Sequence, residues 1–359
     1  MNPAIPTLFR LGRPLAPLYA GLMRLRAAAY KKGWLASRQL PCPVVSIGNI
    51  MLGGAGKTPH VIAVAEWLLT QGLRPAIVSR GYGRKKTIDA PLIVSEGKGA
   101  VCNPENGGDE PVMMAEATRG IPIVVGSDRF EAGMTAYREL GAEAVILDDG
   151  FQHLSLERDI NIALLPAARP FGTGRVFPGG DLREPVSALE RADALVITSA
   201  QAVSVPGIQD LLSKIHEMVP AVPAFSSKTE VKGLKGVGRG LEIDINDICG
   251  KAVFAFCAIA HPRSFFDTLS STGADLKGEK AFRDHHAYNL DDLKEIIAAS
   301  IKDRAAYIVT TEKDAIKLKY LLPLVPEGLK EKAPALLTLR IKAVPDTGLF
   351  RFIKDRLRL

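Results

Sequence analysis

Short, continuous apolar runs alternate with amphipathic stretches through the first part of the chain. Residues 44–47, 76–79, 121–125, 144–147, 160–165 and 194–197 have the length and β-branched content of strands. Between them, residues 58–69, 110–118 and 129–140 carry apolar positions at helical spacing. Strands that are apolar on both faces and separated by helices belong to a mostly parallel sheet covered on both sides. The pattern predicts a doubly wound α/β domain over residues 41–225.

The rhythm breaks at residues 228–240 (KTEVKGLKGVGRG), which are charged, glycine-rich and without helical period, as a hairpin or a linker would be. It resumes with a strand at 253–256, helices at 262–271 and 290–302, a strand at 306–310, a closing strand at 336–341 and a basic terminal helix at 348–357. These elements predict a second, smaller α/β domain over 226–359. A length of 359 residues is more than one core usually organises, in agreement with two units. Hydrophobic residues at 47% and charged residues at 24% exclude a disordered, fibrous or polytopic membrane chain. The 4 cysteines are scattered with no CxxC pair, which argues against a disulfide framework or a structural zinc site and for a reducing compartment.

Net charge adds a further feature. The chain carries +7, and residues 1–65 hold no Asp or Glu, whereas Arg10, Arg13, Arg24, Arg26, Lys31, Lys32 and Arg38 lie in that stretch. Between Arg13 and Arg24 the run PLAPLYAGLM is about half of the ~20 residues a membrane span needs. Residues 1–40 therefore read as a basic amphipathic helical arm that lies on an anionic membrane surface without crossing it. A helix packed on its own domain is the competing reading.

Four motifs carry chemistry. SIGNIMLGGAGKTPH (residues 46–60) is a glycine-rich turn between a predicted strand and a predicted helix. Its backbone from Met51 and Leu52 through Gly53, Gly54, Ala55, Gly56, Lys57 and Thr58 can wrap phosphate oxygens, with Lys57 reaching the β/γ-phosphates and the Thr58 hydroxyl available to Mg²⁺. The strict G-x-x-x-x-G-K-[ST] pattern is broken by Met51 at its first glycine. VILDDGFQH (residues 145–153) ends an apolar strand in Asp148 and Asp149, where a phosphate-loop enzyme keeps its metal-side acids.

GGDEP (residues 107–111) puts Asp109 and Glu110 at a helix start. Capping explains such acids alone, but phosphoryl transfer to an alcohol also needs a group to accept the hydroxyl proton. FRDHHAYNL (residues 282–290) brings adjacent histidines, His285 and His286, to a loop of the second domain. The basic segments SRGYGRKK (residues 79–86) and SDR (residues 127–129) offer Arg80 and Arg129 to a substrate phosphate, while Lys85 and Lys86 read as solvated charge.

Taken in order, SIGN…GGAGKTP, SRGYGR, GGDEP, SDR, LDDGFQH and TTEKDA resemble the tetraacyldisaccharide 4′-kinase family, the lipid A kinases of Gram-negative bacteria. The resemblance spans nearly the whole chain and is looser in the second domain. It implies ATP-dependent phosphorylation of the 4′-hydroxyl of tetraacyldisaccharide 1-phosphate, giving lipid IVA at the cytoplasmic face of the inner membrane by a peripheral enzyme. It also implies that Asp109 and a second-domain histidine, His285 or His286, form the catalytic pair beside Lys57. Mg²⁺ is then expected among Thr58, Asp148, Glu110 and Asp149, and the disaccharide at Arg80, Tyr82, Arg129, Gln152 and His153. If the acid and the histidine belong to different domains, closure over substrate assembles the site.

Two other classes fit less well. A phosphate-loop GTPase switch would carry a guanine-reading [NT]-K-x-D motif, but in Thr311-Glu312-Lys313-Asp314 the lysine falls one place late. A nucleic-acid-binding protein would interleave aromatics with its basic residues, and Tyr19, Tyr30 and Trp34 do not form such a module. No nucleic acid and no obligate protein partner is expected.

Overall fold

The apolar runs of the first half become strands β1 (Val44–Gly48), β2 (Pro75–Ser79), β3 (Leu92–Ser95), β4 (Ile123–Val125), β5 (Ala144–Asp148), β6 (Ile160–Pro166) and β7 (Ala194–Thr198). The computed structural model describes residues 9–82, 84, 90–238 and 240–359. Residues 1–8 of the arm, Gly83, Lys85 and Lys86 of the basic segment, and Arg239 of the glycine-rich stretch lie outside the described residues. Strand order is β7-β6-β1-β5-β2-β4-β3, parallel except for the β3 edge.

Alternation within each strand divides the first half into two cores. Val45, Ile47, Ile77 and Ile146 point to one side, against Val61, Val64 and Leu68 of α2 (Lys57–Thr70) and Val112 and Met114 of α3 (Asp109–Ala117), α1 being Ala16–Lys31. Val44, Ala76, Val78, Val145 and Leu147 point to the other, against Ala132 and Ala136 of α4 (Arg129–Leu140). Farther along that side, Leu211 and Ile215 of α5 (Val205–Met218) cover Leu195 and Ile197.

The second half has β8 (Ala224–Gly236), β9 (Glu242–Ile243), β10 (Ala252–Cys257), β11 (Asp275–Ala281), β12 (Tyr307–Thr311) and β13 (Ala335–Pro345). Its helices are α6 (Pro262–Ser270), α7 (Leu290–Lys302), α8 (Glu312–Leu318) and α9 (Thr347–Leu357). The glycine-rich stretch is a hairpin, with β8 turning back into β9. The strand β11 has no apolar run because it is an exposed edge of sequence DLKGEKA.

Both halves belong to one 13-stranded, mostly parallel sheet, and β8 joins them. Its start pairs parallel with β7 up to Ser226–Ile197, and from Ser227–Pro345 onward it pairs antiparallel with β13. The expected division between 225 and 226 thus falls inside a strand. The terminal helix also departs from expectation: α9 packs on the first half, where Leu349 and Ile353 enter the α2 core and Phe350 stacks on Trp67 at 5.2 Å. Such a ring pair adds about 0.5–1.5 kcal/mol beyond its buried area, and it places the α9 apolar face where β13 delivers it.

The helix α1 has an inverted pattern. Tyr19 and Ala20 pack inward, Tyr19 edge-on to Phe177 at 5.9 Å, while Leu18, Leu22 and Leu25 are all exposed. Their spacing follows a single helical face. Among the described residues no helix is long and apolar enough to cross a membrane.

Candidate active site

Parallel strands deliver their following loops to one edge of the sheet, which is where α/β proteins place their sites. The loops after β1, β2 and β5 carry the glycine-rich turn, Arg80–Tyr82 and Asp149–His153. Those after β10, β11 and β12 bring Ala260–His261, Asp284–His286 and α8 from the second half. The two sets face each other, with the His261 ring and the Ala260 methyl set against Gly53 and Gly54.

At the glycine-rich turn, Gly56 adopts φ 75, a left-handed conformation open to glycine, and α2 starts at Lys57. The Lys57 ammonium rests 3.4 Å from Asn49 Oδ1 and 3.6 Å from Asp149 Oδ1. Asp149 Oδ2 accepts from Arg183 at 2.7 Å. Burial alone would raise the Asp149 pKa, but the Lys57 and Arg183 charges outweigh it and hold the carboxylate low. Asp149, expected beside a metal, pairs with Arg183 through Oδ2, while its Oδ1, 3.6 Å from Lys57, is buried without a hydrogen-bond partner.

Asp148, buried at the end of β5, differs from its neighbour. Ser79 donates to its Oδ2 at 2.9 Å, while its Oδ1 is buried without a hydrogen-bond partner. Burial, with Glu110 and Asp149 nearby, pushes its pKa up to about 7. An orphaned oxygen and crowded carboxylates suit a divalent cation. Among the described residues no three His, Cys, Asp or Glu converge as a preformed cage, which agrees with Mg²⁺ sites that rely on one or two carboxylates, waters and phosphate oxygens.

Asp109 opens α3 behind Gly108, whose φ of 90 lets the turn press on the Gly81–Tyr82 backbone; a Cβ there would meet the Tyr82 carbonyl at 2.9 Å. Lys317 of α8 reaches Asp109 Oδ2 at 2.8 Å, and His285 Nδ1 lies 3.5 Å from the same oxygen. Burial opposes the charge, yet hydrogen bonds from His285 and Lys317 and the Lys317 charge lower the Asp109 pKa overall. The other face of His285, at Nε2, is 3.0 Å from Lys313, which also approaches Glu110 at 3.4 Å and Asp284 at 3.6 Å. Tyr82 lies over the His285 ring at 5.4 Å.

His286 faces elsewhere. It bonds Asp292 at 2.9 Å, stacks on Phe282 at 4.7 Å, and so belongs to the capping of α7. The φ of 59 at His285 turns the two adjacent rings apart.

The expected substrate residues divide similarly. Arg80 and Tyr82 are exposed at the cleft. Gln152 ties loops together, donating to the Asn49 carbonyl at 2.9 Å and approached by Arg183 at 3.4 Å. Arg129, expected to bind substrate phosphate, is buried and donates to the Ser127 carbonyl at 2.8 Å, while its Nε has no hydrogen-bond partner. Burial and the nearby Arg80 charge lower its pKa to about 10. His153, paired with Ser155 at 3.1 Å, is held down to about 4 by burial and by Arg129.

Sequence reasoning missed Lys313, Lys317, Arg183 and Asn49. The spacing of Lys313 and Lys317, one helical turn apart, puts both on one face of α8 and was a usable signal. Arg183 had none, because it is placed by long-range pairing of its segment with Ile50 and Leu52.

This arrangement can hold a polyphosphate at the start of α2 and a hydroxyl at Asp109. The family model described as tetraacyldisaccharide-1-P 4′-kinase (LpxK) matches residues 8–358. The tetraacyldisaccharide 4′-kinase of Pelobacter propionicus is 40% identical over 305 residues, 85% of this chain and 82% of that protein. That of Desulfotalea psychrophila is 40% identical over 312 residues, 87% of this chain and 88% of that protein. Among solved structures, LpxK from Aquifex aeolicus in complex with ATP aligns with a TM-score of 0.72 at 30% identity, covering 96% of this chain and 98% of that one.

Proposed function

This chain belongs to the tetraacyldisaccharide-1-P 4′-kinase family, and from that premise we propose that it transfers the γ-phosphoryl group of ATP to the 4′-hydroxyl of tetraacyldisaccharide 1-phosphate. The product is lipid IVA, an intermediate of lipid A. The observation that carries the reading is the meeting of Asp109 and His285, from opposite halves of the chain, beside Glu110 and the acids at the end of β5.

The backbone N–H groups from Gly53 to Thr58 and the Lys57 ammonium bind the β/γ-phosphates. Asp149 and Asn49 aim Lys57, and Arg183 holds Asp149 in place. The Thr58 hydroxyl, Asp148 and Glu110 hold Mg²⁺, which when bound neutralises charge on the phosphate oxygens. Asp109 receives the 4′-hydroxyl proton, and His285 and Lys317, both set on its Oδ2, orient that carboxylate. A lowered Asp109 pKa suits this role: the carboxylate is ionised and ready to accept a hydrogen bond, and a loose phosphoryl-transfer transition state asks little of the base. Positioning and charge stabilisation supply most of the acceleration.

Arg80 and Tyr82 contact the disaccharide from the β2 loop, with Gln152, Arg129 and His153 backing the same wall. The mutual repulsion of Arg80 and Arg129 is relieved by an anionic substrate. The basic arm, with its outward leucine stripe, lies on the cytoplasmic face of the inner membrane, where an acylated substrate resides. What supports this is that the leucines lie outside the face by which Tyr19 and Ala20 pack on the domain.

The test is to incubate the enzyme with ATP, Mg²⁺ and tetraacyldisaccharide 1-phosphate in detergent micelles and to follow the lipid by mass spectrometry. Gain of one phosphoryl group, absent with Lys57→Ala, supports the reading. Consumption of ATP without that lipid product overturns the acceptor assignment.

A further inference from the structure

His60 lies one helical turn beyond Gly56 and is 3% exposed. Its Nδ1 is 2.7 Å from the Gly56 carbonyl oxygen and its Nε2 is 2.8 Å from Ser227 Oγ. A carbonyl can only accept, so Nδ1 carries the proton, and in a neutral ring Nε2 accepts the Ser227 hydroxyl. Burial keeps the ring neutral, lowering its pKa to about 4. Both nitrogens are used, and neither points to solvent.

The Gly56–Lys57 peptide is planar and trans, so its C=O and N–H point in opposite directions. A contact that fixes the Gly56 carbonyl along α2 therefore fixes the Lys57 N–H outward, through the start of the helix. Glycine at φ 75 supplies no side chain to hold that plane, and the preceding Gly53 has φ 96. The restraint has to come from outside the turn. Ser227 is the first residue of β8 to pair with β13, directly after the last that pairs with β7. His60 thus connects the turn to the strand on which the two halves join.

We propose that His60 is a positioning residue for nucleotide binding. Its Nδ1–H holds the Gly56 carbonyl so that the Lys57 N–H stays turned into the phosphate cradle, and its Nε2 hitches the turn to β8 through Ser227. The inference rests on the phosphate-binding role given to this turn above, and it adds a residue that touches neither phosphate nor lipid.

Isosteric variants separate the two bonds. His60→Asn keeps a donor at the Nδ1 position and loses reach to Ser227. His60→Gln keeps a polar group near the Nε2 position and loses the Gly56 carbonyl. Steady-state kinetics are measured in ATP and in lipid separately, with thermal unfolding and equilibrium binding of ATP with Mg²⁺ for each variant. His60→Leu and His60→Gln are expected to raise the KM for ATP about tenfold, the effect of one lost hydrogen bond, with the KM for lipid unchanged. His60→Asn is expected within about threefold of wild type, and Ser227→Ala to show a rise of similar size.

Equal ATP KM values for the Asn and Gln variants overturn the proposal, as does parallel weakening of both substrates in step with Tm. If His60→Leu does not fold, the Asn and Gln pair still decides. If the wild-type enzyme phosphorylates no lipid, the acceptor assignment fails, while the order of ATP affinities still decides the role of His60.

Discussion

Lys317 of α8 places its ammonium 2.8 Å from Asp109 Oδ2, joining the second half of the chain to the first residue of α3. With His285 on the same oxygen, the acid is held ionised despite being largely buried. The folded pKa is below the ordinary 3.8, so the stability this pair contributes is fully present above about pH 4 and is lost as pH falls through the folded value. Replacing Lys317 by Met leaves burial opposed by His285 alone. The acid limb of kcat/KM is expected to move to higher pH, and an unmoved limb in the pH–rate profile would show that Lys317 does not keep Asp109 charged.

The opposite sign holds at Asp148. Its pKa is raised to about 7 by burial and by Glu110 and Asp149. The native state therefore carries a penalty that is absent below about pH 4 and complete above about pH 7. Asp148→Asn is expected to abolish turnover yet raise Tm of the nucleotide-free protein at pH 8, by roughly 5 °C. At pH 4 the gain is expected to vanish. Calorimetry at the two pH values checks both statements.

The adjacent histidines are expected to separate by phenotype. His285→Ala removes the ring on Asp109 and is expected to lower kcat about 10²-fold or more, in the range for a positioned acid–base group. His286→Ala removes the Asp292 bond and the Phe282 stack, so it is expected to lower Tm while kcat stays within a few-fold at a temperature where the variant is folded. Equal kcat losses in the two would sink this division of roles.

Outward leucines on α1 are expected to act at the membrane. Changing Leu18, Leu22 and Leu25 together to Ser removes three exposed apolar groups and is expected to weaken retention on anionic vesicles by roughly 10²- to 10⁴-fold, since each such side chain contributes about 1–2 kcal/mol when buried. Sedimentation with vesicles measures this, and turnover of micellar substrate is expected to change much less. Unchanged sedimentation would assign the stripe to another partner.

The sequence by itself determined the strand–helix alternation of both halves, because burial on both faces imposes a local hydrophobic period. It also placed the glycine-rich turn before Lys57 and the paired acids Asp148–Asp149 where apolar strands end. Tertiary structure decided which side chains meet. His285 and His286 are neighbours with the same composition around them, and only the left-handed backbone at His285 and the site of α7 turn one ring to Asp109 and the other to Asp292. Lys313, Lys317 and Arg183 reach the site through the order of strands across the sheet, which no local period encodes. The same holds for the terminal helix, whose amphipathic pattern announces a buried face but not the partner, and for Arg129, whose burial and bond to the Ser127 carbonyl no local pattern shows. Local patterns follow from a few neighbouring residues, whereas convergence depends on where the chain crosses from one strand to the next.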